Sequence, residues 1–235
     1  AVKLPREVEI WGIDSGIKHS VAGADYGTVR TAASMGYRII AGIAGLSVDE
    51  AGPGRVEVSD PKWNGYLANI DAKAFRETFE SELPASVDGG EFVSTFYGVS
   101  DPFAKIDPST PYPVRAAAAH PVYESARVRR FSELLKGGGP DLEELGALMY
   151  GSHESYSACG LGSDGTDRLV ELVKKAGPAS GLFGAKITGG GSGGTVAVLG
   201  RNGSAAAVDG VAAEYRKLTG RRPRIFAGSS PGAYA

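Results

Sequence analysis

The chain has 235 residues, 42% of them hydrophobic and 22% charged, with a formal net charge of −2. These figures fit one large or two small globular domains and give nucleic acid or an anionic membrane surface no electrostatic hold. Cys159 is the single cysteine, which excludes an intrachain disulfide and a Cys-rich zinc site, and His19, His120 and His153 lie far apart in sequence.

No apolar run approaches the ~20 residues of a spanning helix, and no signal-peptide pattern opens the chain. A cytoplasmic location without a membrane partner is therefore expected. Glu7 to Ile13 alternates as a strand, with Val8, Ile10 and Gly12 on one face. It breaks at a polar turn, Asp14-Ser15-Gly16-Ile17-Lys18-His19-Ser20, in which His19 is a candidate general base and, more simply, a hydrogen-bonding loop residue. From Asp25, a plausible N-cap, Val29, Ala32, Ala33, Met35, Gly36 and Ile39 supply the apolar face of a helix to about Ile40. Asp14, Ser15 and Tyr26 place a carboxylate, a hydroxyl and a phenol at one strand-to-helix junction, where ligands often bind.

Asp49 to Asp60 is polar, with a strand-like piece at Arg55–Val58. Asp71 opens a helix that Pro84 ends, and Gly90 to Tyr97 reads as a second short helix. Pro102, Pro108, Pro111 and Pro113 make Asp101 to Pro113 a surface loop. Ala116 to Leu135 follows as a helix, with Pro121 near its first turn and Val122, Ala126, Val128, Phe131, Leu134 and Leu135 inward. Arg115, Arg127, Arg129 and Arg130 form its solvated side. Asp141 caps the next helix, which runs to about Tyr156 on a stripe of Leu142, Leu145, Leu148 and Met149, with His153, Ser155 and Ser157 near its end. Ser163 or Asp164 caps a further helix, and Asp167 is either a ligand group or an ordinary first-turn acid.

Gly184 to Leu199 holds the densest glycine run. Gly189, Gly190, Gly191, Gly193 and Gly194 surround Ser192 between two apolar flanks, Ala185–Thr188 and Val196–Leu199. Glycine gives up about 0.5–1 kcal/mol relative to alanine in a regular element, so such a run needs a reason. One reason is a rigid turn whose amides face an anion or polar ligand; the other is a tight hairpin that needs glycine for its geometry alone. Gly189, Gly191 and Gly194 match G-x-G-x-x-G, as do Gly160, Gly162 and Gly165. The first match precedes a strand and the second follows a helix, so neither has the context of a dinucleotide site. Ser204 to Leu218 is a last helix, Arg224–Phe226 a closing strand, and Gly228 to Gly232 a closing turn. The order of elements suggests an α+β structure, a small and mainly antiparallel sheet with helices packed on one face, arranged as a ferredoxin-like core.

Three stretches together resemble the C-terminal part of a GHMP-type sugar kinase. Lys186-Ile187-Thr188-Gly189-Gly190-Gly191-Ser192-Gly193-Gly194 is similar to the family's third motif. Trp11 to Ser20, with Gly23-Ala24-Asp25-Tyr26, is similar to the segment that follows the catalytic aspartate in sugar kinases. Ser157 to Asp167, His120-Pro121-Val122-Tyr123-Glu124 and Gly228 to Ala233 resemble the L-arabinokinase subgroup more than the galactokinase subgroup.

The resemblance implies transfer of a phosphoryl group from ATP, with Mg2+, to the anomeric hydroxyl of a monosaccharide, L-arabinose or galactose. It makes Tyr26 a hydrogen-bond partner of the sugar and brings the backbones of Gly190 and Gly191 near the transfer region. Asp14, Ser15 and His153 would line the cleft, and Gly189, Gly190, Gly191, Ser192 and Gly193 would form the phosphate-region loop. The family's serine-rich phosphate loop and its catalytic base are not in this sequence. Gly45-Leu46-Ser47 fails as the former, because Val48 replaces the next serine. The expectation is thus that residues 1–235 are the substrate-side region of such a kinase, inactive alone, with the N-terminal ATP-binding lobe as its missing partner. No catalytic residue and no metal ligand is assigned within the chain. A non-catalytic sugar-sensing or interaction module that kept the fold is the alternative.

Overall fold

A computed structural model of the chain describes residues 4–17, 24–137 and 139–228. His19 and the turn residues 229–232, both singled out in the sequence, lie outside the described residues. In chain order the elements are β1 (Val8–Asp14), α1 (Ala24–Ile43), β2 (Ser47–Gly52), β3 (Gly54–Ser59), α2 (Ala72–Ala74), β4 (Val87–Asp88), α3 (Gly89–Phe96), β5 (Gly98–Val99) and β6 (Pro111–Tyr112). They continue with α4 (Val114–Lys136), α5 (Leu142–Ala158), α6 (Asp164–Ala176), β7 (Leu182–Ile187), β8 (Thr195–Arg201), α7 (Ala205–Thr219) and β9 (Arg224–Phe226). Among the described residues, no helix is long and apolar enough to cross a membrane. The chain divides into two compact units, one formed by residues 1–21 with 127–235 and the other by residues 22–126.

The unit that holds both chain ends is built on a four-stranded sheet of order β7-β8-β1-β9. Every pairing in it is antiparallel, with Trp11 opposite Val198, Ile187 opposite Val196, and Ile13 opposite Ile225. The two strands flanking β8 therefore run parallel to each other, which is the split arrangement of a ferredoxin-like core. The α+β class holds. The expectation of helices on one face does not, because both parities of the strands are apolar. Trp11, Ile13, Val196, Val198, Leu182 and Ala185 face α6 and α7, where Leu169, Val173, Val208 and Tyr215 meet them. Val8, Leu199 and Phe183, of the opposite parity, pack with Leu145 and Met149 of α5 and with Phe131, Leu134 and Leu135 of α4. A strand covered on both faces reads as nearly continuous apolar sequence, and Trp11 and Ile13, at 1% and 0% exposure, are buried more deeply than Val8 at 7%.

Caps set the helices as the sequence indicates. Asp141 accepts from the N–H of Glu144 at 2.9 Å and starts α5. Ser163 and Thr166 form a capping box that starts α6. Gly184 and Gly146 show why small residues recur here: a Cβ on Gly146 would meet Phe183 O at 1.9 Å, so α5 lies directly against β7.

The other unit gathers Met35, Ile39 and Ile40 of α1, Phe75, Phe79, Leu83, Phe92, and Val114, Ala117, Ala118 and Val122 of α4 into one core. Helix α1 begins at Ala24, so Asp25 lies inside its first turn and not at the N-cap position. Asp71 caps α2 through the N–H groups of Lys73 and Ala74, and a π-helical turn over Phe75–Phe79 continues it. The hairpin of β2 and β3 extends well beyond the strand-like piece seen at Arg55–Val58. Pro121 sits in the interior of α4, which starts earlier than its apolar pattern suggests. Val128, expected inward, is 59% exposed; the inward residues beyond it are Phe131, Leu134 and Leu135.

Candidate functional site

The turn from Thr188 to Gly194 joins β7 to β8 at one end of the sheet. Its base is closed by Thr188, whose N–H and Oγ1 donate to Thr195 O at 3.0 and 2.8 Å. Three further anchors come from stretches distant in sequence. Tyr156 on α5 donates its hydroxyl to Gly189 O at 3.0 Å. The N–H of Ser192 donates to Leu161 O at 2.7 Å, and that of Gly194 to Ile17 O at 3.1 Å. Lys186, at the entry, lies with its Nζ 5.6 Å from the centre of the Tyr156 ring.

Glycine is required here by space as well as by torsion. At Gly191 φ is +85°, and a Cβ would stand 2.6 Å from Leu161 Cβ and from Leu161 O. At Gly193 φ is +127°, and a Cβ would stand 2.9 Å from Ile17 Cγ2. Between them Ser192 takes φ of 58°, a left-handed conformation that disfavours a side chain. Its Oγ is buried and has no hydrogen-bond partner among the described residues. Ser192 thus combines a left-handed torsion with a buried hydroxyl that has no partner among the described residues. Among the described residues, none accepts from the N–H groups of Gly189, Gly190 or Gly193. Successive donors held in a rigid turn form a concavity suited to an anion.

Asp14 and Ser15 are brought beside this turn. The N–H of Ser15 donates to Gly194 O at 2.9 Å. Asp14 Oδ1 accepts from the N–H of Gly16 at 2.9 Å, and Ser15 Oγ from the N–H of Ile17 at 3.2 Å. Ser15 is fully buried, and its carbonyl accepts the Tyr215 hydroxyl at 2.8 Å. Ser15 thus holds the strand end from behind. His153 is also buried, with both ring nitrogens engaged by protein: Nδ1 accepts from Ile187 N at 3.3 Å, and Nε2 lies 3.0 Å from Asp167 Oδ1. Burial holds its imidazole below the ordinary value of 6.5, against the pull of Asp167. Tyr26 belongs to the other unit, in the first turns of α1, and is 40% exposed.

The carbonyls of Leu161 and Ile17 and the hydroxyl of Tyr156, which support the turn, are not among the groups that the sequence singles out. A carbonyl leaves no mark in the sequence. Tyr156 left one: it stands three residues after His153 on α5, on the same face of the helix.

Residues 131–217 match the family model described as GHMP kinases C terminal. The chain is similar to L-arabinokinase of Arabidopsis thaliana, with 43% identity over 99% of this chain and 24% of that protein. It is similar to galactokinase of Thermotoga maritima, with 34% identity over 46% of this chain and 30% of that one. The chain therefore spans about a quarter of the length of the L-arabinokinase it matches. In fold it resembles the galactokinase of Lactococcus lactis solved with galactose, at a TM-score of 0.64 and 17% identity, covering 96% of this chain and 46% of that one. The likeness to the GHMP kinase family is thus carried by residues 131–217, the stretch that its C-terminal model matches.

Proposed function

We propose that this chain forms the sugar-side region of an ATP-dependent kinase that phosphorylates the anomeric hydroxyl of a monosaccharide, L-arabinose or galactose. The observation that carries the reading is the turn at Thr188–Gly194, with its strained Ser192 and the N–H groups of Gly189, Gly190 and Gly193 that meet no acceptor among the described residues, in a chain 43% identical to L-arabinokinase. Phosphoryl transfer asks little covalent chemistry of a protein; it asks for position and for donors where negative charge spreads over the transferred oxygens. A turn fixed by Thr195, Tyr156, Leu161 and Ile17 meets that demand, because its donors need not reorganise as charge develops.

In this reading the backbones of Gly190 and Gly191 stand near the transferred group, with Ser192 and Gly193 completing the turn. Tyr26 donates to or accepts from a sugar hydroxyl, and Asp14 lies at the rim. ATP supplies the phosphoryl group, and Mg2+ would accompany its phosphates. L-Arabinose and galactose differ by one hydroxymethyl group, a difference that pocket shape decides.

Isothermal titration with L-arabinose, galactose and Mg-ATP, followed by a coupled ADP-release assay, tests the reading on this chain alone and on a longer protein in which it is joined to an N-terminal kinase lobe. Saturable sugar binding is expected, weakened about two- to tenfold by Tyr26→Phe, the worth of one hydrogen bond. Release of ADP by the longer protein with either sugar is the second expected result. Binding without ADP release there would favour a sugar-sensing module, and no binding of either sugar would overturn the reading.

A further inference from the structure

His153 ties together three elements that meet at the glycine turn. On one side its Nδ1 accepts the N–H of Ile187, the last residue of β7, at 3.3 Å. On the other its Nε2 lies 3.0 Å from Asp167 Oδ1 on α6, an oxygen that also accepts from Ser157 Oγ at 3.2 Å. With Nδ1 accepting, the single proton of a neutral ring belongs on Nε2. A second proton has only Nδ1 to go to, where it would point at the Ile187 N–H. Two donors then face each other, and the bond to β7 is lost.

The charged groups facing the ring are Asp167 from α6, Glu154 from its own helix and Lys186 from β7. Ile187 immediately precedes Thr188, which closes the base of the turn on Thr195. Tyr156, one turn further along α5, holds Gly189. A single helix therefore grips the turn at its entry and at its tip.

We infer that His153 is a positioning residue for the glycine turn, a neutral clamp between α6 and β7 whose protonation releases Ile187 and loosens the turn through Thr188 and Gly189. The inference rests on the reading of that turn as the ligand-facing element only for its effect on catalysis; the clamp itself is measured without activity.

The test follows the ring nitrogens of His153 and the amides of Ile187, Thr188, Gly189 and Gly190 by NMR in the folded chain, from about pH 8 to about pH 5, the range in which histidine titrates. The ring should carry its proton on Nε2 at the upper end, and the Ile187 and Thr188 amides should shift with the ring's own midpoint. His153→Asn retains an acceptor near Nδ1 and does not titrate, so it should keep the Ile187 amide protected without the pH dependence. His153→Gln can reach Asp167 but offers Ile187 no acceptor, so its Ile187 amide should exchange about two- to tenfold faster at every pH. A proton on Nδ1 at neutral pH, an Ile187 amide indifferent to the ring, or a His153→Gln variant that matches the wild type would each overturn the clamp. In the complete kinase, kcat/KM for the nucleotide should fall on the acid side with the same midpoint, and His153→Asn should remove that limb. If the amides follow the ring while this limb is identical in both proteins, the clamp stands and the placing of the turn at the transferred phosphoryl group fails.

Discussion

Two glycines of the same turn, replaced by alanine one at a time, separate torsion from contact. Gly189 has φ of +69° and nothing within 4 Å of a built Cβ, whereas Gly191 has φ of +85° and Leu161 at 2.6 Å. In both, a left-handed backbone costs an L residue about 1–2 kcal/mol. In both, removing a glycine from the unfolded chain returns about 0.4–1 kcal/mol. Gly189→Ala should thus lower stability by roughly 0–1.5 kcal/mol by these two effects alone. Gly191→Ala adds the cost of overpacking, about 1–3 kcal/mol, since Leu161 is held from behind by its own N–H on Tyr156 O at 2.9 Å. At about 2–4 °C per kcal/mol for a domain of this size, the melting temperatures of the two variants should differ by roughly 2–12 °C. Circular dichroism melts give the difference, and hydrogen exchange at the Ser192 amide locates it: faster in Gly191→Ala, unchanged in Gly189→Ala. Equal melting temperatures would refute the reasoning, because they would mean that Leu161 does not press on the turn.

Ser192→Gly relieves a left-handed torsion and removes a buried hydroxyl that has no partner among the described residues. Urea unfolding should show a gain of about 1–3 kcal/mol, and a loss there would mean that the hydroxyl is bonded in the free protein. Asp141→Ala removes the acceptor of the Glu144 N–H at the start of α5, and should cost about 1 kcal/mol in the same assay. Stability should also depend on pH through His153, whose pKa burial lowers below 6.5 in the folded state. The unfolded chain then binds more protons between the folded value and 6.5, so this contribution is complete above 6.5 and is lost as pH falls toward the folded value. Unfolding midpoints of wild type and His153→Asn, compared at neutral and mildly acid pH, should diverge in that direction, and parallel curves would refute it.

What was legible in the sequence was whatever is written by side chains acting on their own neighbourhood. Asp141 and Ser163 mark helix starts because a short polar side chain reaches the free N–H groups next to it. Arg224–Phe226 and Thr195–Leu199 mark strands because β-branched and aromatic residues cluster in them. Partners far along the chain were not legible. The face of β1 that carries Trp11 and Ile13 also carries Glu7 and Glu9, so the alternation points to Val8, Ile10 and Gly12, and only the second layer of helices shows that both faces are core. Val128 fell on the inward side of a helical wheel, yet the chain passes from one compact unit to the other at Arg127, and a single apolar stripe does not carry across that change.

The same division accounts for His153 and Ser15. The family resemblance puts both in the cleft, and both are buried, with bonds to β7, α6 and the end of β1. This is what a turn that presents donors needs. The N–H groups of Gly189, Gly190 and Gly193, which meet no acceptor among the described residues, keep one direction only if the turn cannot move. Holding them in place takes bonds from Thr195, Tyr156, Leu161 and Ile17 to their neighbours, and the residues that secure those bonds must themselves be fixed. Ser15 fixes the segment that offers Ile17, through the N–H of Ile17 on its hydroxyl and the Tyr215 hydroxyl on its carbonyl. His153 fixes the strand that enters the turn. The glycines supply the shape, but the buried polar residues behind them make it a single shape, and a substitution there should alter what the turn presents without touching any atom that faces the ligand.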